Sequence, residues 1–554
     1  MERRVILAIV LMLFVAIAPS LIWPPKPTAR RPDGQTADSA TARPTVTETP
    51  APLRPSGRPA DRPSDTVTPH DTVWVTSPLY RLGFSTRGGA LVSAQLLQYQ
   101  SFAPGDSAQR VQLVPADQPF LVHQLVPTGG GDTVSLADWI FRPSAPAITV
   151  RGPATLRFEA DRGEARVTLE YRFVPEEYRF DVRGSITGLG GSGAVLMIGL
   201  SEGLRSVEAD STDDYRSYAI VTKASKAERT DFSKFDPGER AVLDGPFEWA
   251  GVKSKYFFFA ALALEENQPR FGGAIAVGGP RTGKAATRAA LALTLPVPPA
   301  GAFQYQVYAG PLELRHLRRV GHAFDDANPY GWIFRPIIQP VSVFVVNVLL
   351  WMHDRLNLAY GWVLILFGVV VRILLWPLNQ KAMESGIRMQ AVAPLIKEIQ
   401  DRYKTDPERL QREMLRIYKE HKVNPFGGCL PMLLPMPVLL ALFFVFANTI
   451  EFRGVPFLWL PDLSRHDPLF VIPVVMGLSM FGLSKVGQMG MPPNPQMKMM
   501  LYFMPVMMTV LFLNFASGLN LYYAAQNIFS IPQQYLIAKR RLREAPVARA
   551  PAKT

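Results

Sequence analysis

The apolar residues of this chain are concentrated in two regions, and this distribution constrains the fold more than any single motif. One region lies within residues 1–23, and the other is most of the sequence after Phe334; the residues between have the polarity of a water-soluble domain. Segments of about 17 to 25 apolar residues are long enough to cross a bilayer as helices. We therefore expect a polytopic α-helical membrane protein with six spans, at 1–23, 361–378, 428–448, 468–485, 497–514 and 517–538.

The composition agrees with a membrane protein of more than one domain. With 554 residues, 48% hydrophobic and 19% charged residues, and a mean hydropathy of +0.08, the chain is too long and too apolar for one ordinary soluble domain. Much of the Lys and Arg behind the net charge of +13 flanks apolar segments, where it sets topology, and this placement disfavours nucleic-acid binding. Cys429 is the single cysteine, so the chain forms no intrachain disulfide.

The N-terminal part of the chain is expected to contain an anchor followed by a linker. Residues 1–23 carry two arginines before the apolar run, which fits either a cleaved signal peptide or a signal anchor. Pro19 would directly follow a cut after Ala18 and is expected to block it, so we favour an uncleaved anchor span. Residues 24–72 are rich in proline and polar residues and have too few apolar side chains to fold, which predicts a disordered linker.

Short alternating runs dominate residues 73–318. The runs 165–174 and 303–308 place apolar residues at every second position, as is typical of half-buried strands. We therefore predict a large antiparallel β-sandwich on the extracytoplasmic side. The segment has no zinc-protease helix motif and no nucleophile elbow. The adjacent acids Glu176–Glu177 and Asp213–Asp214 could form a glycosidase pair, but such neighbours are more typical of a solvated turn. We expect no catalytic residue, metal or cofactor, and the chain is not expected to be an enzyme.

Residues 319–353 and the basic loops decide the expected topology. The segment 336–352 is almost long enough to span, but a crossing there would place the basic loop 379–424 outside, against the positive-inside rule. We therefore expect a connector and an interfacial amphipathic helix in 319–353. An even number of spans then places both termini, including the basic tail 542–554, in the cytoplasm.

Residues 381–422 are expected to form a cytoplasmic helical hairpin. Two apolar stripes, around Ile399 and around Ile417, flank Asp406 and Pro407, which are typical of a helix start. The hairpin is either a solvated spacer or a docking surface for an acidic or RNA-bearing partner. The pattern alone favours the spacer.

Arg372 is the single charged residue of the apolar segment 361–378. An arginine near the centre of an inserted helix costs about 2.5 to 3.5 kcal/mol, so it normally faces a bundle interior or a water-filled cavity. The alternative is that its long side chain snorkels to the headgroups, because the polar Asn379 follows about two helical turns later. Taken alone, the residue supports both interpretations equally.

Three motifs resemble the signature of the YidC family of membrane protein insertases. They are NPFGGCLPMLLPMPVLLALFF at 424–444, VRILLWPL at 371–378 and SGLNLYY at 517–523. They stand in the order expected for the family, and the resemblance covers the region from about 330 to 541. The anchor and the β domain resemble the Gram-negative branch of the family, whose periplasmic domain is a β-supersandwich.

The resemblance implies a five-helix insertase core at 354–541 with a hydrophilic groove that is open to the cytoplasm and to lipid. It implies that Arg372 lines this groove and that Tyr523 contacts substrate. Polar residues of the last span add further candidates: Tyr522, Asn520, Gln526 and Asn527. The alternative is that these amides only bond neighbouring helices.

The resemblance also implies partners and a location. The partners are nascent membrane proteins, the Sec translocon, the lipid bilayer and, through the hairpin and the basic tail, the ribosome; no cofactor is implied. The location is the bacterial inner membrane, where the protein would insert and help fold membrane proteins alone or beside the Sec translocon. Gly368 replaces a hydroxyl residue common in the family, and Asn514 stands where an aromatic is frequent, so substrate contacts at these positions are doubtful.

Two other function classes stay open on the sequence. A secondary transporter of a small solute should show paired repeats with broken helices, and the core shows no such self-similarity. An envelope enzyme acting on glycan or lipid needs an acid and base pair, and no such pair stands out.

Overall fold

The computed structural model describes residues 71–544, except 107–108, 131, 189–192, 266–267, 283–284, 329, 331–333, 379, 381–391, 393–394, 397, 404–405, 422–435 and 490–494. The predicted anchor, linker and most of the C-terminal tail lie outside the described residues, as do parts of the hairpin and of the span predicted at 428–448.

A β domain occupies the first part of the described chain. Its strands are β1 Thr72–Thr76, β2 Tyr80–Ser85, β3 Leu91–Gln100, β4 Arg110–Gln112, β5 Val122–Pro127, β6 Val134–Ser135, β7 Arg142–Pro143, β8 Ala147–Thr149, β9 Ala154–Arg162, β10 Ala165–Phe173, β11 Arg179–Thr187, β12 Ala194–Gly199, β13 Ala219–Lys223, β14 Ala227–Asp231, β15 Arg240–Phe247, β16 Trp249–Lys253, β17 Phe257–Leu262, β18 Phe271–Gly278, β19 Arg281–Thr282, β20 Ala285–Ala286, β21 Ala289–Val297 and β22 Ala302–Pro311.

These strands form one small and three larger sheets. The five-stranded sheet has the order β4-β3-β2-β1-β8, and the nine-stranded sheet has the order β14-β13-β16-β17-β22-β11-β10-β9-β7. The six-stranded sheet has the order β15-β18-β21-β12-β5-β6, and β19 pairs with β20. Among the described strands, β1 and β8 form a parallel pair, whereas the other pairs are antiparallel.

The strands follow the alternating patterns of the sequence. Every second residue of β10 is buried, whereas β17 is buried along its whole length because both of its faces are covered. The sheets also pack against one another: the rings of Phe84 and Tyr171 lie 4.5 Å apart, and His123 Nε2 lies 2.7 Å from the Tyr305 hydroxyl oxygen. The predicted β-sandwich, followed by a helical region, is confirmed.

The helices complete the chain. They are α1 Ser211–Tyr215, α2 Leu314–Val320, α3 Arg335–Leu356, α4 Tyr360–Leu374, α5 Pro407–Glu420, α6 Met436–Asn448, α7 Val471–Gly487, α8 Pro495–Phe512 and α9 Ser517–Glu544. Except for α1, they lie on the C-terminal side of the β domain. In the helical domain, α9 packs against α4 and α7, and α3 packs against α6.

The lengths of the described helices do not by themselves establish the predicted six spans. Among the described residues, α3 is the helix that is both long and apolar enough to cross a membrane. We predicted that this segment lies in the interface, and that placement stays a prediction. Other helices expected to span are shorter in their described parts, with 15 residues in α4, 13 in α6 and 17 in α7. The number of six spans also stays a prediction.

Helix α4 ends before the predicted end of the span at Leu378. Its regular part stops at Leu374, the chain makes a turn at Leu375, and residues 376–378 are helical again. Pro377 has no backbone N–H to donate to the carbonyl of Ile373, so the ladder of helical hydrogen bonds is interrupted here. Arg372 consequently lies in the last turn of α4 and not at its centre.

The described parts of the hairpin agree with the predicted helix start and apolar stripes. Asp406 accepts a hydrogen bond from the Arg409 backbone N–H at 3.0 Å and thereby caps α5. Val392 of the first stripe and Ile417 of the second are buried in one apolar cluster, against which Ile396 and Ile399 pack. On the outer face, arginines form ion pairs with acidic neighbours, at 402 with 398, 412 with 408 and 416 with 420. Whether this face is a spacer or a docking surface stays a prediction.

Candidate functional site

Arg372 is half-buried where α4 packs against α9. Its Nη2 donates a hydrogen bond of 2.7 Å to Oε1 of Gln533 on α9. Its Nε is buried and has no hydrogen-bond partner among the described residues. No Asp or Glu of the described residues lies within 4 Å of its guanidinium as an ion pair. Arg372 is thus held by a neutral amide, and its charge is not neutralised by a described carboxylate.

Gln533 is a residue that the sequence interpretation missed. Its side chain is buried, with 1% of the residue exposed, and its Nε2 donates to the carbonyl oxygen of Trp376 at 3.5 Å. The residue therefore links Arg372 to the segment that directly follows α4. A signal was present: Gln533 follows Gln526 by seven residues, which places both on one face of the last span.

The two tyrosines of the last span face different neighbours. Tyr522 is buried against α4, with its ring 6.0 Å from the ring of Phe367. A Cβ added to Gly368 would lie 3.3 Å from the Tyr522 ring, so the glycine permits this close packing. Tyr523 instead meets Phe512 of α8, with ring centroids 5.6 Å apart. Of the two, the structure places Tyr522 on the Arg372 side of α9.

The amides of α9 mostly contact other helices. Asn520 is buried and donates through Nδ2 to the Phe512 carbonyl at 3.0 Å, which caps the end of α8. Asn527 donates through Nδ2 to Ser479 Oγ on α7 at 3.2 Å. Gln526 is also buried. These contacts are those expected if Asn520 and Asn527 bond neighbouring helices. Asn514, the second departure from the family pattern, is exposed in the turn after α8.

The loop 449–467 positions the start of α9. The backbone N–H groups of Ser517 and Gly518 donate to the carbonyls of Arg465 and Leu463, at 2.6 and 3.0 Å. Because the first N–H groups of a helix have no partner within it, these contacts supply the missing acceptors. The same loop reaches the β domain, where Ile450 is buried in the apolar core of the sandwich.

Arg453 of this loop is a second residue that the sequence interpretation missed. Its side chain is 3% exposed, and its Nε lies 2.7 Å from Oε1 of Glu208 in the β domain. Its two Nη atoms donate to the carbonyls of Gln100 and Val207, at 2.9 and 3.4 Å. The guanidinium carbon lies 4.4 Å from the centre of the Phe102 ring. This contact joins the β domain to the helical domain.

A second carboxylate, that of Asp214, is buried near Glu208. Burial, with a smaller contribution from the nearby Glu208, raises the pKa of Asp214 from its ordinary value of 3.8 to about 7. Asp214 nevertheless accepts hydrogen bonds from Ser206 Oγ at 2.8 Å and from the Lys255 backbone N–H at 3.1 Å. Burial also raises the pKa of Glu208, although Arg453 opposes that shift.

The described residues contain no group of three or more His, Cys, Asp or Glu side chains suited to a metal ion. Adjacent Asp213 and Asp214 do not form the solvated turn that we expected from the sequence. Asp214 is 1% exposed, and Asp213 forms an ion pair with Lys255 at 2.8 Å. The interpretation as a solvated turn is wrong for this pair, because Asp214 is buried against Ser206 and the Lys255 backbone and Asp213 is held by the Lys255 side chain.

Comparisons with known proteins cover both domains. The family model of the YidC periplasmic domain matches residues 72–343, and that of the 60Kd inner membrane protein matches residues 351–544. The membrane protein insertase YidC of Anaeromyxobacter dehalogenans (strain 2CP-C) is 32% identical over 503 residues, which cover 87% of each chain.

A second relative extends this likeness. The membrane protein insertase YidC of Syntrophus aciditrophicus (strain SB) is 30% identical over 572 residues, covering 98% of this chain and 100% of the relative. A crystal structure of an active YidC insertase with its first transmembrane domain resolved is 18% identical and covers 85% of this chain and 95% of its own, with a TM-score of 0.35. On the two family models and the two relatives, this chain belongs to the YidC family of bacterial inner-membrane insertases.

Proposed function

We propose that this chain inserts nascent membrane proteins into the bacterial inner membrane, and that Arg372 receives the polar tail of the client on the way. The observation that carries the proposal is the incomplete pairing of Arg372: a neutral amide holds the guanidinium, and the buried Nε has no described partner. A cation in an apolar helix that lacks a counter-ion attracts anionic groups strongly, because the surroundings screen charge weakly.

The energetics of insertion need no nucleotide. Each Leu, Ile, Phe or Val of a client helix contributes about 0.3 to 0.6 kcal/mol, so about twenty of them supply about 6 to 12 kcal/mol. This offsets the cost of a short tail with few charges. An acidic tail gains a further amount of about 2.3 kcal/mol per charge for each 100 mV when the outside is positive. Arg372 lowers the first part of the barrier, where the tail leaves the cytoplasm.

The topology that fits this function has six spans, with both termini and the hairpin in the cytoplasm and the β domain in the periplasm. A groove lined by Arg372, Tyr522 and Tyr523 would face the cytoplasm and lipid, with Asn520, Gln526 and Asn527 of the same span beside it. Asn520 and Asn527 would then act chiefly by holding α9 against α8 and α7, as their hydrogen bonds indicate. The Sec translocon and the ribosome are proposed partners.

Reversal of the charge at Arg372 tests the proposal. Arg372→Glu is compared with Arg372→Lys, which keeps the charge, in membranes that hold a small client with either an acidic tail or a matched neutral tail. We expect Arg372→Glu to reduce insertion of the acidic-tail client about tenfold more than that of the neutral-tail client, equivalent to about 1.4 kcal/mol. Arg372→Lys should retain most of the preference.

Protease protection of the client tail gives the readout. An equal loss for both clients would mean that Arg372 supports the fold and does not receive the tail. Normal insertion together with a lost solute flux would favour the transporter alternative. No observation on the described residues favours that alternative or an envelope enzyme over insertion.

A further inference from the structure

Gln533 holds Arg372 in a way that a carboxylate would not. It accepts from Arg372 Nη2 at 2.7 Å and is itself buried. Its amide nitrogen faces the Trp376 carbonyl at 3.5 Å, an acceptor just beyond the last turn of α4. The amide therefore has an acceptor directed at the arginine and a donor directed at the helix end, and this fixes which way it is turned.

A glutamine and a glutamate side chain have the same length, but they differ in how much of the Arg372 charge stays available to a ligand. A glutamate at this position would form an ion pair with Arg372 and neutralise it. Glutamine keeps a hydrogen bond of similar geometry but adds no negative charge, so the guanidinium stays fully attractive to an anion. The buried Nε of Arg372, for which the described residues offer no acceptor, is the donor that such an anion would meet.

We infer that Gln533 is a positioning residue that fixes the Arg372 guanidinium without neutralising it, and so sets the preference of the insertase for clients with carboxylate-bearing tails. This inference rests on the proposed role of Arg372. It predicts that the neutrality of residue 533, and not only its size, decides the preference.

A change of one functional group tests the inference. Gln533→Glu preserves length and shape but supplies the missing counter-charge. We expect the ratio of acidic-tail to neutral-tail insertion to fall to unity, whereas insertion of the neutral-tail client should change little. A merely structural role would lower the insertion of both clients together and leave their ratio unchanged.

The adjacent Gln534 offers a matched control. It lies on the same helix and carries the same amide, but it approaches Gly487 of α7 and no described contact joins it to Arg372. Gln534→Glu should keep the wild-type ratio. Gln533→Asn is the second variant: its shorter amide releases Arg372 without neutralising it, so the ratio should fall only in part.

The outcomes separate this inference from the proposed function. A wild-type ratio in Gln533→Glu, with the preference removed in Arg372→Glu, would overturn the role of Gln533 alone. Equal ratios in Gln533→Glu and Gln533→Asn would also overturn it, because neutralisation would then have no part. A preference that survives in Arg372→Glu would overturn the proposed function itself. Thermal unfolding in detergent identifies any variant that fails to fold, and Gln533→Asn then supplies the test.

Discussion

Two arginines of the helical domain differ in how completely they are paired. Arg453, which joins the loop to the β domain, has a carboxylate, two backbone carbonyls and an aromatic ring around its guanidinium. Arg372 has one described hydrogen bond, to an amide, and a buried Nε with no partner among the described residues. Within the part of the chain that the structure describes, a carboxylate neutralises the first charge, whereas none pairs with the second.

This difference separates an arginine that supports the structure from one that is available to a ligand. A buried charge is tolerated when a counter-charge and hydrogen bonds replace its water, and removal of one partner then leaves the other without compensation. A charge left unneutralised contributes little to folding, and it persists where binding requires it. The contrast predicts large stability effects at Arg453 and small ones at Arg372.

The largest effect is expected for Arg453→Met. Loss of the guanidinium leaves the buried Glu208 carboxylate unpaired, which should lower the free energy of unfolding by about 3 to 5 kcal/mol. Thermal unfolding of the full-length protein in detergent measures the effect. The added change Glu208→Gln removes the stranded charge and should restore part of the stability.

The surface pair of Arg142 and Asp161, 2.8 Å apart, supplies the matched control. The Arg142 side chain is 74% exposed, and exposed pairs contribute about 0 to 1 kcal/mol. Arg142→Met should therefore change stability little. If Arg142→Met and Arg453→Met lowered the unfolding temperature equally, the pairing of Arg453 would not be what holds the two domains together.

The next effect is expected at Gly454, which follows Arg453 with φ of +70°. An added Cβ would lie 2.5 Å from the ring of Phe102, and a left-handed backbone costs other residues about 1 to 2 kcal/mol. Gly105 has φ of +87° with no atom within 4 Å of an added Cβ. Gly105→Ala should show the backbone cost alone, and Gly454→Ala should be less stable by about 1 kcal/mol or more. Equal losses would mean that the Phe102 ring moves aside freely.

A smaller effect concerns pH at the same junction. Burial raises the pKa of Asp214 to about 7, and the nearby charges of Glu208 and Lys255 act on it in opposite directions. Because the pKa is higher in the folded state, the associated stability is complete below pH 3.8 and is lost as the pH rises through about 7. Asp214→Asn should remove this dependence.

Unfolding temperatures at pH 5 and pH 8 provide the measurement. Between the two pH values the free energy of unfolding of the wild type should fall relative to that of Asp214→Asn by about 2 to 3 kcal/mol. Asp138→Asn, which removes an exposed carboxylate, controls for the loss of one surface charge. If the wild type became more stable than Asp214→Asn as the pH rose from 5 to 8, the raised pKa of Asp214 would be contradicted.

The sequence predicted the architecture better than it predicted these contacts. Period-two runs and long apolar segments are local patterns, and they indicated the β-sandwich and the helical domain correctly. The motif around Arg372 also identified the residue around which the candidate site is built. Gln533 and Arg453 were missed because a glutamine in a span and an arginine in a loop are ambiguous without their partners. The Gln100 carbonyl that Arg453 reaches is 353 positions away in the sequence, so only the folded chain brings them together.

The smallest stability effect is expected for Arg372→Met, and it is the sharpest test of the comparison. Removal of the guanidinium breaks one hydrogen bond to a neutral amide, so the free energy of unfolding should change by no more than about 1.5 kcal/mol. Insertion of an acidic-tail client should nevertheless fall to the level of the neutral-tail client. Stability is followed by thermal unfolding and insertion by protease protection, with Arg453→Met as the reference for a structural loss. If Arg372→Met destabilised the protein as strongly as Arg453→Met, the incomplete pairing of Arg372 would not mark it as a site kept available for a ligand.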